Sequence, residues 1–342
     1  MSHESYHFPP VAVRELLPQI DRKLLKDSLR KMFLIRHFEQ RGEAAYQQGK
    51  VGGFYHSYAG QEAIQTACLA ACGNQHWYTT TYRCHALALL LGASPNAMMA
   101  ELYGRVTGIA KGLGGSMHMY ADRLIGGLAI VGGHIPIATG AAFTIKYLKQ
   151  IGIVSFCFLG EGAVVQGAFH ESLNLAALWN LPCIYVIENN QWGMGTAVSR
   201  AVCVRPIAEH FAKSYGIRSY NLKGMDVCHC YAGFKDALRE CLSTSRPILI
   251  EAVTERFRGH SISDPGLYRT KDTLKEKMET EDPILLFKQA LIENGIVIEE
   301  ECEAMDKEQR EIAIAAMKFA DESPWPDPIT LEEGVFAPSE EI

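Results

Sequence analysis

Positive charge is in deficit: 33 Lys and Arg stand against 39 Asp and Glu, a formal net charge of −6 at pH 7. Without a basic face the chain offers nucleic acid no electrostatic footprint, and none is expected as a partner. Long hydrophobic runs are also missing, because the apolar stretches are broken by Gly, Lys or His before they reach the length of a membrane span. No membrane partner is expected. Residues Met1–Pro10 have neither the apolar core of a secretory signal nor the Arg-rich bias of a transit peptide. A cytoplasmic protein is the expectation, although a mature organellar chain would read the same way. The ten cysteines include no Cys-x-x-Cys pair; they fall as Cys68/Cys72, as Cys228/Cys230, and singly in apolar runs, as at Cys157 and Cys183. That spacing excludes a zinc site of the paired type and fits buried, reduced thiols in a reducing compartment. No Gly-x-Gly-x-x-Gly opens a helix after a strand, and no Walker Gly-Lys-Ser/Thr occurs. There is no internal repeat and no low-complexity tract.

What is present is ample core material. Apolar residues make up 48% of 342 positions, enough for one large α/β domain or a core with appendages. The segment to Gln19 is punctuated by Pro and reads as an extended arm. Asp21 caps a long helix to about Gln48, with Leu24, Leu25, Leu29, Met32 and Phe33 as its apolar stripe. Helices are predicted over Gln61–Cys72, Pro95–Tyr103 and Pro136–Lys149, with a short strand over His76–Tyr82 and a Gly-rich, weakly periodic stretch over Lys111–Gly133. Later come helices around Ile207–Lys213 and Val227–Ser243, and strands near Arg218–Leu222 and Ile248–Val253. Arg256–Lys271 is polar and expected to be mobile. Two amphipathic helices, Pro283–Asn294 and Glu299–Ala320, precede a Pro-rich end. The alternation of strands and helices predicts an α/β fold: a doubly wound, mainly parallel sheet flanked by helices.

The most informative segment is bipartite. An apolar run, Ile153–Leu159, ends in Gly160-Glu161-Gly162. A second, Pro182–Ile187, ends in Glu188-Asn189-Asn190. Between them Val164–Trp179 is long enough for the crossover helix of a βαβ unit. Glu161 and Asn190 then sit at the carboxyl ends of neighbouring parallel strands, the edge where open α/β sheets bind ligands. A carboxylate and an amide there are hard oxygen donors suited to Mg²⁺, and the N–H groups of Gly162 and Ala163, opening the helix, face any phosphate the metal holds. The segment reads as a site for a metal-bridged diphosphate.

This arrangement resembles the thiamine diphosphate motif, in which Gly-Asp-Gly is followed by a paired Asn. The flanking Gln166-Gly167, Ala176-Ala177-Leu178-Trp179, Leu181-Pro182-Cys183 and Gln191-Trp192-Gly193-Met194-Gly195-Thr196 narrow it. Together they resemble the α subunits of thiamine diphosphate-dependent 2-oxo acid dehydrogenases, over roughly Leu29 to Asp272. Three positions depart from that pattern: Glu161 stands where Asp is usual, Val165 where a polar residue is common, and Leu113 where the family has Lys. Glu keeps the charge but adds a methylene, which bears on a metal demanding near-ideal octahedral distances.

The resemblance implies thiamine diphosphate and Mg²⁺ as cofactors. It implies cofactor contacts from Tyr82, Arg83, Ala121, Ala129, Val131, Glu161, Gly162, Ala163, Asn190, Trp192 and His260, with Glu161, Asn190 and Trp192 as metal ligands. Catalytic roles fall on His56 in Gly53-Phe54-Tyr55-His56, and on His260 and Ser261 in Arg258-Gly259-His260-Ser261-Ile262-Ser263-Asp264-Pro265-Gly266. Ser261 matches a serine that is regulated by phosphorylation in animal relatives. His118, in Gly114-Gly115-Ser116-Met117-His118, is expected to support its loop. The implied organisation is an arm over 1–20, a diphosphate-binding domain over 21–275 with an active-site loop at 256–271, and a C-terminal helical extension over 276–342. One diphosphate module leaves the activating glutamate to a β subunit, in a heterotetramer of two α and two β chains. The acetyl group passes to a lipoyl arm on an acyltransferase core. Pyruvate is the expected 2-oxo acid, since Lys111–Met119 and His260–Gly266 look pyruvate-type. Branched-chain 2-oxo acids, acetoin, a degenerate regulatory subunit and a non-catalytic phosphate-binding module remain alternatives.

Overall fold

A computed structural model describes residues 6–332 and Val335. The first five residues of the arm and most of the end beyond 332 lie outside the described residues. In chain order the helices are α1 (Val13–Leu16), α2 (Arg22–Gln47), α3 (Glu62–Cys72), α4 (His85–Leu90), α5 (Pro95–Leu102), α6 (Ile135–Tyr147) and α7 (Gly167–Trp179). They continue with α8 (Val198–Ala201), α9 (Ile207–Tyr215), α10 (Val227–Thr244), α11 (Lys271–Thr280), α12 (Pro283–Glu293) and α13 (Glu299–Glu322). The strands are β1 (Trp77–Thr81), β2 (Leu124–Leu128), β3 (Ser155–Gly160), β4 (Cys183–Asn189), the short pair β5 (Trp192–Gly193) and β6 (Thr196–Ala197), then β7 (Arg218–Lys223) and β8 (Ile248–Val253). No helix among the described residues is long and apolar enough to cross a membrane.

Six strands form one parallel sheet in the order β2-β1-β3-β4-β8-β7. The doubly wound expectation is met, and its mechanism is visible in the alternation along each strand. Side chains of successive strand residues point to opposite faces. Phe156, Phe158, Ile184, Val186, Ile248 and Ile250 therefore join the core under α2, α3 and α10. Cys157, Leu159, Cys183, Tyr185, Ile187 and Leu249 join the second core, under α6, α7 and α9. Strands buried on both faces read as continuous apolar runs, which is why β3, β4 and β8 were legible. Phe156 and Phe158 are fully buried; truncating either to Ala would cost about 3–5 kcal/mol.

The first helix of the long pair starts as its sequence dictates: the Asp21 carboxylate accepts the N–H groups of Lys23 and Leu24 at 2.7 and 3.1 Å. Arg36 of α2 then pairs with Glu62 of α3 at 2.5 Å and with Asp282, the cap of α12, at 2.9 Å, all three carrying little exposed surface. This buried triad locks three helices over one face of the sheet.

Three expectations are corrected. The arm is not extended throughout, because Val13–Gln19 makes about two helical turns. The Gly-rich stretch contains strand β2, paired to β1 at the sheet edge. Helices α4 and α11 were not anticipated. Within the 256–271 loop the Asp264 carboxylate accepts the His260 N–H at 2.6 Å, the Gly266 N–H at 2.9 Å and the Tyr268 hydroxyl at 2.7 Å.

Candidate active site

From β1 the chain steps outward to β2 and then returns to place β3 on the other side of β1. This reversal of strand order opens a crevice at the carboxyl ends of β1 and β3, the position where doubly wound sheets hold ligands. A cleft of about 480 Å³ occupies it. Its wall brings together His56, Tyr82, Arg83, Ala129, Val131, Glu161, Gly162, Ala163, Asn190, Trp192 and His260, residues drawn from six separate segments of the sequence.

Two predicted residues lie elsewhere. Ala121 bridges to Leu124 in the turn that enters β2 and does not line the cleft. Ser261 is buried, its hydroxyl 2.9 Å from that of Ser263, beside a separate surface depression bordered by Glu43 and Arg258. The chain turns at His260, so the next side chain points away from the cleft.

Glu161 and Asn190 meet because β3 and β4 are neighbours, with Gly160 opposite Glu188. The Asn190 N–H donates to the Glu161 carboxylate at 3.3 Å, and the Asn190 amide donates to Gln61 at 3.1 Å. Its side-chain oxygen accepts the Trp192 N–H at 3.3 Å. Glu161 is 3% exposed and forms no ion pair among the described residues. Burial pushes its pKa up, partly offset by backbone N–H groups and by Arg256 and Arg83. Gly162 and Ala163 do not open the helix as anticipated: they sit in a 3₁₀ turn, Glu161–Val165, and α7 begins after Gln166. Gly162 and the β-branched pair Val164-Val165 are weak helix formers, and the tighter turn leaves Gly162 and Ala163 in the cleft wall.

Cations face these oxygens. Arg83 is buried and donates to the carbonyls of Ser57 and, at 3.0 Å, His260. Arg256, 1% exposed, donates to the Met194 carbonyl at 3.2 Å, the Tyr268 hydroxyl at 3.1 Å and His260 Nδ1 at 3.2 Å. Among the described residues its buried Nε has no hydrogen-bond partner, and neither has His56 Nδ1. The rings of His56 and His260 lie 5.0 Å apart, and Tyr82 packs on His56 at 4.4 Å. Burial, then Arg83 and Arg256, lowers His260 to about 4. Burial, then Arg83 and His260, lowers His56 to about 2. Both imidazoles are therefore neutral near pH 7 and can each donate one hydrogen bond.

Among the cleft residues that escaped the sequence reading, three shape its chemistry. Arg256 stood in a recognised block without a role; its signal was an Arg four residues before a site histidine. Gln61, just before α3, positions Asn190. Glu188 is held by the Tyr58 hydroxyl at 2.5 Å and the Gln65 amide at 3.1 Å, and burial raises it to about 7. Nothing in the sequence distinguished it from its neighbours in the Glu-Asn-Asn run.

Two buried guanidiniums, two neutral imidazoles and an unpaired carboxylate converge on one space. Unsatisfied donors are costly when buried, so the cleft suits an anion rich in oxygen, with a cation between that anion and Glu161. Among the described residues no three His, Cys, Asp or Glu cluster as a self-sufficient metal site, so any metal here needs oxygens from its ligand.

Comparison with known proteins converges on the same chemistry. The model of the dehydrogenase E1 component family matches residues 30–329. Pyruvate dehydrogenase E1 component subunit alpha of Rickettsia conorii is 41% identical over 302 residues, covering 88% of this chain and 92% of that one. The protein of that name from Rhizobium meliloti is 42% identical over 300 residues, covering 87% and 86%. The mitochondrial protein from Kluyveromyces lactis is 39% identical over 332 residues, covering 96% and 80%. The family match spans most of the chain and includes every segment that lines the cleft: the chain belongs to the dehydrogenase E1 component family.

Proposed function

We propose that this chain is the α subunit of a thiamine diphosphate-dependent pyruvate dehydrogenase, catalysing oxidative decarboxylation and transfer of the acetyl group to a lipoyl arm of an acyltransferase component. One observation carries the reading: Arg83, Arg256, His56 and His260 face Glu161 and Asn190 across a single cleft at the switch point of the sheet. The orphaned Arg256 Nε is a donor that a diphosphate would satisfy, as is His56 Nδ1 in the tautomer that carries its proton there, and charge-assisted guanidinium–phosphate bonds are among the strongest available to a protein.

The fit to Mg²⁺ rests on the donor set. Mg²⁺ favours one or two carboxylates together with substrate phosphates. Glu161 is the buried carboxylate, Asn190 the neutral oxygen donor, and Trp192 contributes through its backbone. Bound thiamine diphosphate supplies the nucleophilic carbon and the electron sink for decarboxylation. This chain's residues hold the diphosphate end: the arginines neutralise charge, the histidines donate hydrogen bonds, and Tyr82 orients His56. Ala129 and Val131, just after β2, line the same cleft and would face the cofactor's ring portion.

The carboxylate that activates that ring belongs to a β subunit, and two α with two β chains complete the enzyme. The diphosphate-binding domain takes in residues 21–275, preceded by the arm and followed by α12 and α13 as a helical extension; the packing of α13 on α2 and α5 supports a bracing role. The cytoplasm is the proposed compartment. The test is turnover of the chain co-expressed with its β subunit against a panel of 2-oxo acids, with pyruvate preferred over branched-chain substrates and acetoin.

A further inference from the structure

Glu101, in the last turn of α5, is fully buried, yet it forms no ion pair among the described residues. Its carboxylate is instead enclosed by backbone. Oε1 accepts the N–H groups of Gly114 and Gly115 at 2.6 and 3.1 Å, and Oε2 those of Ala110 and Gly112 at 2.8 and 2.9 Å. A carboxylate has about four lone-pair positions, and all are filled from one loop. Convergent backbone N–H groups of this kind normally surround a bound anion. Here the chain provides its own.

The loop is shaped to fit. A Cβ at Gly108 would lie 2.3 Å from the Glu101 carboxylate and 2.7 Å from its Cα. Gly112, at φ +82°, passes so close to the Gly104 carbonyl that a Cβ would meet it at 2.7 Å. The weak periodicity at the start of the Gly-rich stretch, residues 111–115, thus has a cause: that part is organised around a charge instead of an apolar face.

From this nest the chain runs directly into the cleft. Gly115–Met117 forms a 3₁₀ turn, and Met117 lines the cleft wall. The far side of that turn is pinned by a second buried carboxylate. Glu39 holds His85 Nδ1 at 3.0 Å, and His85 Nε2 lies 3.0 Å from both the carbonyl and the hydroxyl of Ser116. Cys84, next to Arg83, donates to the same carbonyl at 3.4 Å.

We propose that Glu101 is a positioning residue for the cofactor: its buried charge orders residues 108–115, and that order sets Met117 against the ligand. The inference rests on the proposed function only in taking the ligand of the cleft to be thiamine diphosphate. Glu101→Gln keeps the length but replaces one acceptor oxygen with a donor facing N–H groups. Glu101→Asp keeps the charge but withdraws it by a methylene.

The experiment uses the purified complex with the β subunit and has two readouts, amide hydrogen exchange over residues 108–117 and calorimetric affinity for thiamine diphosphate with Mg²⁺. If the ordered loop falls to about a tenth of its population or less when these bonds are lost, affinity weakens by about tenfold or more. Faster exchange confined to 108–117, a weakened affinity, and kcat at saturating cofactor close to wild type are the expected results for Glu101→Gln. Glu101→Asp should fall between the two, and it alone carries the test if Glu101→Gln yields no folded complex. Unchanged exchange in the variant, or faster exchange with unchanged affinity, overturns the proposal. A wild-type complex that binds no thiamine diphosphate would instead defeat the functional reading, while the exchange result would still report on the loop.

Discussion

The Arg256 guanidinium donates to His260 Nδ1 at 3.2 Å while its own buried Nε has no partner among the described residues. The pair is four residues apart in a loop that Asp264 ties from below. This geometry fixes which ring nitrogen of His260 is free: Nδ1 accepts from the arginine, leaving Nε2–H as the donor toward the cleft. One guanidinium thus sets the tautomer of the adjacent imidazole and keeps a donor in reserve.

Arg256→Lys should therefore be far from conservative. Lysine keeps the charge but cannot reproduce the planar fork that reaches Met194, Tyr268 and His260 together. Thiamine diphosphate affinity is expected to fall about tenfold to a hundredfold, corresponding to one or two lost charge-assisted bonds. Calorimetric titration of the complex checks this; affinity within twofold of wild type would show that the guanidinium serves the loop alone.

His260→Ala removes the Nε2 donor while leaving the Asp264 contact to the backbone N–H in place. Cofactor affinity and turnover should both drop, with the melting temperature little changed. Full turnover together with unchanged affinity would mean that His260 does not touch the diphosphate.

The sheet's strands were legible because burial on both faces left apolar runs in the sequence, as at Phe156–Leu159 and Ile184–Ile187. Strand β2 was hidden because Gly126 and Gly127 occupy its centre. The close approach of Cys84 requires glycine there, since a Cβ on Gly127 would stand 2.5 Å from Cys84. Helix α4 is too short for its periodicity to stand out. The cleft's charged residues were largely legible through their motif, whereas Glu188 and Gln61 take their roles from partners more than a hundred positions away. Ser261 shared its block with His260 but not its direction, a distinction that depends on the local turn of the chain.

His56 makes stability depend on pH. Its pKa in the folded chain is about 2, against 6.5 for an ordinary histidine. Below pH 6.5 the unfolded chain takes up a proton that the folded chain refuses, so stability contributed by the neutral form is lost as pH falls through 6.5. Glu188, raised to about 7, works in the opposite sense between pH 7 and its ordinary value, so the single-site effect must be read as a difference. From pH 7 to 5, wild type should lose about 1–2 kcal/mol relative to His56→Gln, measured by urea unfolding of the chain without cofactor. Parallel pH curves for the two proteins would refute the assignment.

Glu161 tests the metal. Its extra methylene suits strict octahedral geometry less well than Asp would. Glu161→Asp should retain or improve Mg²⁺-dependent cofactor affinity, and Glu161→Gln should weaken it by removing the charge. Equal affinity for all three at fixed Mg²⁺ would rule out the ligand role.

The most direct measurement is release of CO₂ from pyruvate by this chain, alone and co-purified with its β subunit, with and without thiamine diphosphate and Mg²⁺. A shared site requires that the chain alone be inactive and that the complex turn over only when the cofactor is supplied. Robust turnover by the isolated chain, or a complex that binds the cofactor yet releases no CO₂ from pyruvate or any other 2-oxo acid, would contradict it.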